Sequence, residues 1–311
     1  SFIKWLQEAK LRKQRTIKET VKVSGIGVHT GKKVDCIIEP APDDTGIVFH
    51  RTDKNIFIPV NQNNVVDTTL STTIGLNGVY IKTVEHLLAS LYALNIDNCI
   101  IKIDNEEVPI LDGSSAPWVY LLKSASYVEQ KHYKKVLIIT KPVKIKENGK
   151  FVALLPCRKF KISYAISFEG TFINKQKYEL EINEQTFIKE ISKARTFCFL
   201  RDIEYMQQNN LALGGSLDNA VVVDDYGVVN EDPLRYENEF VRHKILDAIG
   251  DLSILNYDLK AHYIAYKSGH NLNYKLVSSL LKDKKSYVII GSPKQEAQVL
   301  EDLGFLSPVV G

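Results

Sequence analysis

Apolar residues in the first half of the chain predict short strands followed by two helices. Two β-rich runs bounded by Gly and Pro, 36–38 and 46–49, are typical of strands. An apolar stripe at helical spacing follows, at Val84, Leu87, Leu88, Leu91 and Leu94. Thr83, directly before this stripe, is the predicted N-cap of the first helix. This half also predicts a buried strand over 98–103, a turn over 112–115 and a second helix over 116–123.

The second half repeats this order of elements after a polar, basic segment at 131–135. Strands are predicted over 136–139, 151–155, 161–168 and 261–266, and helices over 240–255 and 272–281. Because strands and helices do not alternate strictly, the pattern favours an α+β fold over a doubly wound sheet.

We expect two similar domains, each a small β-sheet with helices on one face. Their predicted bounds are 14–132 and 133–282, with an N-terminal extension at 1–13 and a C-terminal tail at 283–311, in which 287–290 is a candidate added strand. Stacking the two helix layers would place a site at the domain interface.

The composition is that of an ordinary globular protein. With 311 residues, 44% of them hydrophobic, the chain is long enough for two domains. The net charge of +3 is too small to indicate nucleic-acid binding, but it is compatible with an anionic small molecule. Four scattered cysteines with no C-x-x-C pair favour neither a zinc ribbon nor a disulfide scaffold, and they indicate a reducing cytoplasm.

No part of the sequence predicts a membrane span. No apolar run approaches the roughly 20 residues that cross a bilayer, and no signal-peptide pattern opens the chain. The segment 1–11 has near-helical apolar spacing, which would suit weak contact with a membrane surface or a partner. A frayed helix or a processing remnant is the favoured interpretation of such a terminus. We expect a soluble protein that acts as a monomer in the cytoplasm.

Two short motifs carry candidate metal chemistry. His243 and Asp247 lie four residues apart in a predicted helix, so one cation can reach both. His86 is the best third ligand, since two histidines and one carboxylate leave a tetrahedral position open for water. Glu85 beside it is placed for a general base. Taken alone, such a His-Asp pair is more often solvated or capping, so that alternative stays open.

Further motifs occur in a fixed order between residues 14 and 282. They are SGIGVHTG at 24–31, LSTT at 70–73, TVEH at 83–86, EVPILDGS at 107–114, ARTF at 194–197, GGS at 214–216, LRYENE at 234–239, the 243–247 pair and SGH at 268–270. With them the chain resembles the zinc-dependent UDP-3-O-acyl-N-acetylglucosamine deacetylase family, which performs the committed step of lipid A synthesis in Gram-negative bacteria. The resemblance implies helix layers sandwiched between two sheets, and release of acetate from an acylated UDP-sugar.

The resemblance also implies the catalytic roles. It makes His86, His243 and Asp247 the zinc ligands and Glu85 the base; iron or cobalt could occupy the same ligands. It further makes His270 the partner of the oxyanion and the acid for the leaving amine, with Asp251 orienting it and Thr196 donating to the oxyanion. Without the resemblance, a turn-capping role for His270 and a surface position for Asp251 would be favoured.

Substrate contacts are implied less directly. Lys244 and Lys267 match basic positions near the diphosphate, and Phe168 would stack on the uridine; solvated lysines and a core phenylalanine are equal alternatives. The segment 197–222 resembles a strand-helix-strand insertion that forms a passage for the acyl chain. Substrate contacts are predicted there for Phe197, Phe199, Ile203, Met206, Leu211 and Gly215. The spacing of Ile203 and Met206 is equally that of core residues.

The sequence therefore predicts a zinc metalloamidase with two alternatives. One is a non-catalytic protein of the same fold that binds the nucleotide lipid precursor, although such a protein has no use for the base Glu85. The other is a related zinc amidohydrolase that acts on a different N-acyl sugar.

Overall fold

The computed structural model describes residues 11–302 and confirms the α+β class. The predicted N-terminal helix at 1–11 lies outside these residues apart from its last position, as does the chain from 303 onward. The helices are α1 Glu85–Ala93, α2 Ala116–Ser124, α3 Glu184–Thr186 with a π-helical turn Phe187–Ile191, α4 Leu200–Gln208, α5 Glu239–Ser253, α6 His270–Lys282 and α7 Pro293–Asp302. Among the described residues, no helix is long and apolar enough to cross a membrane.

The first half of the chain forms a five-stranded sheet of order β2-β3-β9-β4-β5 and a three-stranded sheet β6-β7-β8. The strands are β1 Lys13–Ile17, β2 Val21–Ile26, β3 Lys33–Pro40, β4 Ile47–Arg51, β5 Ile56–Pro59, β6 Val65–Asp67, β7 Thr73–Leu76, β8 Val79–Ile81, β9 Cys99–Ile103 and β10 Tyr127–Tyr133. Alternate residues of β3, namely Val34, Cys36 and Ile38, are buried, so one face of the larger sheet covers the core. β1 pairs with β10.

The second half forms a seven-stranded sheet of order β12-β13-β18-β11-β19, with β14 joined to β18 and β15 to β14. Its strands are β11 Val136–Ile139, β12 Val143–Glu147, β13 Lys150–Leu155, β14 Phe160–Phe168, β15 Asn174–Glu181, β18 Asp258–Tyr266 and β19 Tyr287–Ile290. β19 pairs antiparallel with β11. The run at 287–290 in the predicted tail is therefore a strand of this sheet.

Helices α1 and α5 pack against each other between the two sheets. Leu88 and Leu91 of α1 line a small cavity together with Ile47 of β4 and Val60, which directly follows β5. On the other side, α5 packs on β14 and β15, and α6 packs on β12 and β13. One hydrophobic cluster runs through both halves. The two candidate metal motifs consequently lie on helices that contact each other.

The predicted insertion contains a strand, a helix and a second strand. Strand β16 Phe197–Phe199 pairs in parallel with β17 Val221–Val223, and α4 lies between them in sequence. No residue of α4 is buried. This helix therefore lies on the surface of the molecule.

The prediction that Thr83 caps the first helix is wrong. The N-cap is Val84, and Thr83 adopts a left-handed backbone with φ 60°. A threonine that caps a helix with its side chain typically has an extended backbone, and its hydroxyl accepts from the first helical turn. The Thr83 hydroxyl instead donates to Glu107 Oε2, at 2.6 Å.

Candidate metal centre and active site

The three predicted metal ligands converge where α1 begins and α5 passes it. Asp247 Oδ1 lies 3.3 Å from His86 Nε2 and 3.3 Å from His243 Nε2. The two imidazole rings meet edge to face, with centroids 4.8 Å apart. All three side chains are buried. Helix α5 brings His243 and Asp247 together because residues four apart share a face, and the packing of α1 on α5 brings in His86.

These residues fit a bound cation. Their ligand atoms lie within 4.8 Å of one another. In the described part of the chain, His243 Nε2 and Asp247 Oδ1 are buried without a hydrogen-bond partner, which is costly unless an ion satisfies them. His243 Nδ1 donates to the Ala194 carbonyl oxygen at 2.9 Å, so Nε2 keeps its lone pair for a metal.

The electrostatics of the cluster also suit a cation. Burial lowers the pKa of His86, which keeps its imidazole neutral, the form that binds a metal. Burial opposes ionisation of Asp247, yet the adjacent His243 and His86 outweigh it and hold the pKa of Asp247 well below its usual range. Two imidazoles and one carboxylate are a donor set that zinc accepts.

Glu85 and His270 form a second group beside this cluster. Glu85 Oε1 lies 3.4 Å from His270 Nε2, and both residues lie within ligand reach of Asp247. His270 Nδ1 is 2.7 Å from Asp251 Oδ2. Burial raises the pKa of Glu85 above its ordinary value, which suits a base that works near neutral pH.

The hydrogen bonds of Asp251 indicate which nitrogen of His270 carries a proton. Its Oδ1 accepts from the Thr72 hydroxyl at 2.6 Å, and its Oδ2 accepts from Asn273 Nδ2 at 2.9 Å. Because both of these neighbours donate to it, we assign Asp251 as the ionised acceptor and His270 Nδ1 as a donor. Burial lowers the pKa of His270, but the charges of Asp251 and Glu85 outweigh it and raise that pKa overall.

The structure adds two residues that the sequence did not indicate. Thr72 contacts two of the predicted catalytic residues, because its backbone N–H donates to Glu85 Oε2 at 3.1 Å while its hydroxyl donates to Asp251. Asn273 accepts from Tyr263 and Ser268 through Oδ1, which turns its NH₂ group toward Asp251. Thr72 lies in the LSTT motif, but its role depends on residues distant in sequence. No sequence signal pointed to Asn273.

Thr196 lies near a backbone contact of His243, one of the predicted metal ligands. It is half-buried and follows, by two residues, the Ala194 carbonyl that accepts from His243. Its backbone N–H donates to the Gly113 carbonyl at 2.8 Å, and its own carbonyl accepts from Val221 at 2.8 Å. The backbone of Thr196 is therefore held on both sides.

The two predicted basic residues differ in their surroundings. Gly269 directly precedes His270. A Cβ added to Gly269 would lie 4.0 Å from Lys244 Nζ. Lys267 is exposed, has a left-handed backbone with φ 55°, and extends over the Tyr266 ring at 5.6 Å.

Phe168 belongs to an aromatic cluster with the first residues of the insertion. Its ring meets those of Phe197 and Phe199 edge-on, with centroids 6.0 and 5.5 Å apart, and Phe197 also contacts Phe240 at 5.1 Å. All three predicted aromatic contacts are half-buried. Part of the Phe168 ring therefore remains accessible.

The remaining insertion residues differ in exposure. Ile203 and Met206 are the half-buried side chains of α4, Leu211 is half-buried, and Gly215 is exposed. Burial raises the pKa of the Cys198 thiol to about 11, so this cysteine is not a reactive thiolate.

Comparisons with known proteins identify the family of the chain. Residues 14–282 match the family described as UDP-3-O-acyl N-acetylglycosamine deacetylase. Proteins named UDP-3-O-acyl-N-acetylglucosamine deacetylase include one from Saccharophagus degradans that is 48% identical over 282 residues, covering 89% of this chain and 93% of that protein. The one from Histophilus somni is 46% identical over 289 residues, covering 91% and 95%. The chain therefore belongs to the UDP-3-O-acyl-N-acetylglucosamine deacetylase family.

Proposed function

We propose that this protein hydrolyses the N-acetyl amide of UDP-3-O-acyl-N-acetylglucosamine. The products are acetate and UDP-3-O-acyl-glucosamine, in the committed step of lipid A biosynthesis. The observation that carries the proposal is the position of Glu85 and His270, 3.4 Å apart and beside the cluster of His86, His243 and Asp247. Membership of the deacetylase family supports the same reaction.

Zinc is the proposed cofactor, held by His86, His243 and Asp247. The two buried atoms without partners, His243 Nε2 and Asp247 Oδ1, support this assignment. A bound divalent ion would supply a Lewis acid for the amide carbonyl and lower the pKa of a water molecule. Ligand type alone does not select zinc over iron or cobalt, so these ions remain alternatives.

The protein's own groups would move the protons. Glu85, whose pKa is raised by burial, takes a proton from the attacking water. The Thr72 N–H holds one carboxylate oxygen of Glu85, which leaves the other oxygen facing His270. His270, held in its cationic form by Asp251, stabilises the oxyanion and supplies the proton that the departing amine needs.

Substrate contacts are proposed for the surrounding residues. We assign Thr196 to the oxyanion, Lys244 and Lys267 to the diphosphate, and Phe168 to the uridine. Phe197, Phe199, Ile203, Met206, Leu211 and Gly215 are proposed to line the acyl passage or its entrance. Support for the passage comes from the half-buried apolar face of α4 beside the aromatic cluster.

We also propose that the protein works in the cytoplasm, because its four cysteines are free. Action as a monomer stays a prediction.

Comparing substrates tests the proposed reaction against the two alternatives. We expect the zinc-loaded protein to release acetate from the acylated UDP-sugar and not from free N-acetylglucosamine. Glu85→Gln should lower kcat by about 10²- to 10⁴-fold, because the base is lost, while zinc and substrate still bind. Preference for the free sugar would favour a different amidohydrolase. Substrate binding without acetate release by the wild type would favour a binding protein.

A further inference from the structure

A buried carboxylate outside the metal cluster has an unusual set of partners. Glu107 is 1% exposed, and none of the ion pairs in the described part of the chain involves it. Its oxygens accept from the backbone N–H groups of His29 and Thr30, at 3.0 and 2.9 Å, and from the hydroxyl of Thr83, at 2.6 Å. A buried charge is costly unless its hydrogen bonds are made, so these donors hold the carboxylate in place.

Thr83 stands at a strained position. Its φ of 60° lies in the left-handed region, which β-branched residues rarely adopt. The residue is buried and is separated only by Val84 from Glu85 and His86, the proposed base and metal ligand. Such strain persists only where the surroundings enforce it, and it is concentrated at functional sites. The hydroxyl bond to Glu107 is the side-chain contact that holds Thr83 here, beside backbone hydrogen bonds made by its neighbours Lys82 and Val84.

A turn in the first half of the chain contacts the other side of the Glu107 carboxylate. A Cβ on Gly27 would lie 2.3 Å from Glu107 Oε1, so the turn 27–31 closes directly over the carboxylate. This turn is itself tied to the insertion, since Gly214 N–H donates to the Val28 carbonyl at 3.0 Å. Glu107 therefore connects a rigid turn to the residue that precedes the metal helix α1.

We propose that Glu107 is a positioning residue for the reaction, acting through the hydroxyl of Thr83. By holding Thr83 in its left-handed conformation, the carboxylate sets where α1 begins and hence where Glu85 and His86 point. The effect on kcat that this inference predicts rests on the proposed function. The predicted effect on zinc affinity does not depend on turnover, because His86 is one of the proposed ligands.

The test removes the hydroxyl without removing the carboxylate. Thr83→Val keeps the shape of the side chain, and we expect it to lower kcat roughly 10- to 100-fold with little change in KM, because the base is misplaced. Zinc affinity, measured by competition with a chelator, should fall by about tenfold or more. Thr83→Ser keeps the hydroxyl and should behave as the wild type. Glu106→Gln is the matched control, since that neighbouring carboxylate makes only a half-exposed ion pair with Lys32, at 3.7 Å.

Thr83→Gly separates positioning from folding. Glycine adopts a positive φ without strain, so this variant should melt no lower than Thr83→Val, yet it lacks the hydroxyl and should show the same losses of kcat and zinc affinity. A folded Thr83→Gly or Thr83→Val protein with wild-type zinc affinity would overturn the proposal. If the wild type bound zinc but released no acetate, the proposed function would fail, and the zinc affinities of the variants would still decide the role of Glu107.

Discussion

At the scale of single residues, the site depends on how each polar atom is satisfied. Asp251 accepts from the Thr72 hydroxyl and from Asn273 Nδ2, whose amide is oriented by the hydroxyl groups of two neighbours. The proton on His270 Nδ1 therefore has one consistent position, facing Asp251. The ligand atoms of His243 and Asp247 are the opposite case, because they are buried and lack partners within residues 11–302. Groups with hydrogen-bond partners hold the proposed catalytic pair, and the two atoms without partners support the proposed ion site.

Replacing Thr72 by valine should separate its two contacts. Valine keeps the side-chain shape and the backbone N–H to Glu85, but it removes the hydroxyl that donates to Asp251. A hydrogen bond to a charged group is worth about 1.5 to 3 kcal/mol, so we expect kcat to fall by about tenfold or more. Steady-state kinetics of Thr72→Val and Thr72→Ser measure this, with Thr73→Val as the neighbouring buried control. Unchanged kcat in Thr72→Val would show that the hydroxyl does not support His270.

The residues alone predicted those members of the candidate site that lie close together in the sequence. The pair His243 and Asp247 could be predicted because the i, i+4 spacing of a helix places them on one face. Thr72 was missed because its partners Glu85 and Asp251 come from elements far apart in the chain. The N-cap prediction for Thr83 failed for the same reason, since its hydroxyl donates to Glu107, which lies 24 residues away in the chain.

At the scale of elements, the crossing of α1 and α5 determines the metal site. A Cβ added to Gly250 of α5 would lie 2.2 Å from the Glu85 carbonyl oxygen. No real Cβ contact is that short, so the two helices approach this closely because the residue is glycine. The close approach is what places His86 opposite His243 and Asp247.

Gly250→Ala should therefore destabilise the protein and weaken zinc binding. At an open helical position this change would stabilise a helix by about 1 kcal/mol, whereas here the clash should cost about 1 to 3 kcal/mol. Chemical denaturation and zinc titration measure the two effects. Ala248→Gly is the control, because it lowers helix propensity on the same buried helix without a clash, and it should leave zinc affinity intact. A more stable Gly250→Ala protein would contradict the packing described here.

Apolar elements were predictable, and polar ones were not. The apolar period of α5 gave its bounds within two residues, and β9, β11 and β13 were predicted from their buried runs. β10 and β15 were missed because they are rich in polar residues and largely exposed, so they show no apolar alternation. Their positions follow from pairing with β1 and β14.

At the scale of the whole molecule, the two halves share one hydrophobic cluster, and the metal site lies on the helices that join them. The α+β class followed from the order of elements in the sequence. The predicted division between residues 132 and 133 stays a prediction, because a continuous core carries no boundary that burial alone would reveal.

Metal binding should stabilise the whole protein. An ion that binds only the folded state adds about 2.7 kcal/mol when its free concentration is 100 times Kd, which corresponds to a rise of several degrees in Tm. We expect zinc to raise the Tm of the chelator-treated protein by this amount and to leave that of His243→Ala unchanged. Calorimetry with and without zinc measures the difference. An equal rise in both proteins would place the binding site elsewhere.

We propose that this protein is a metal-dependent deacetylase with Glu85 and His270 as its catalytic pair. The most direct measurement is acetate release from UDP-3-O-acyl-N-acetylglucosamine by the purified protein, after a strong chelator has removed metal and again after one equivalent of zinc is restored. We predict that activity is lost and then regained. No turnover in either state, with the protein folded and zinc bound, would contradict the claim.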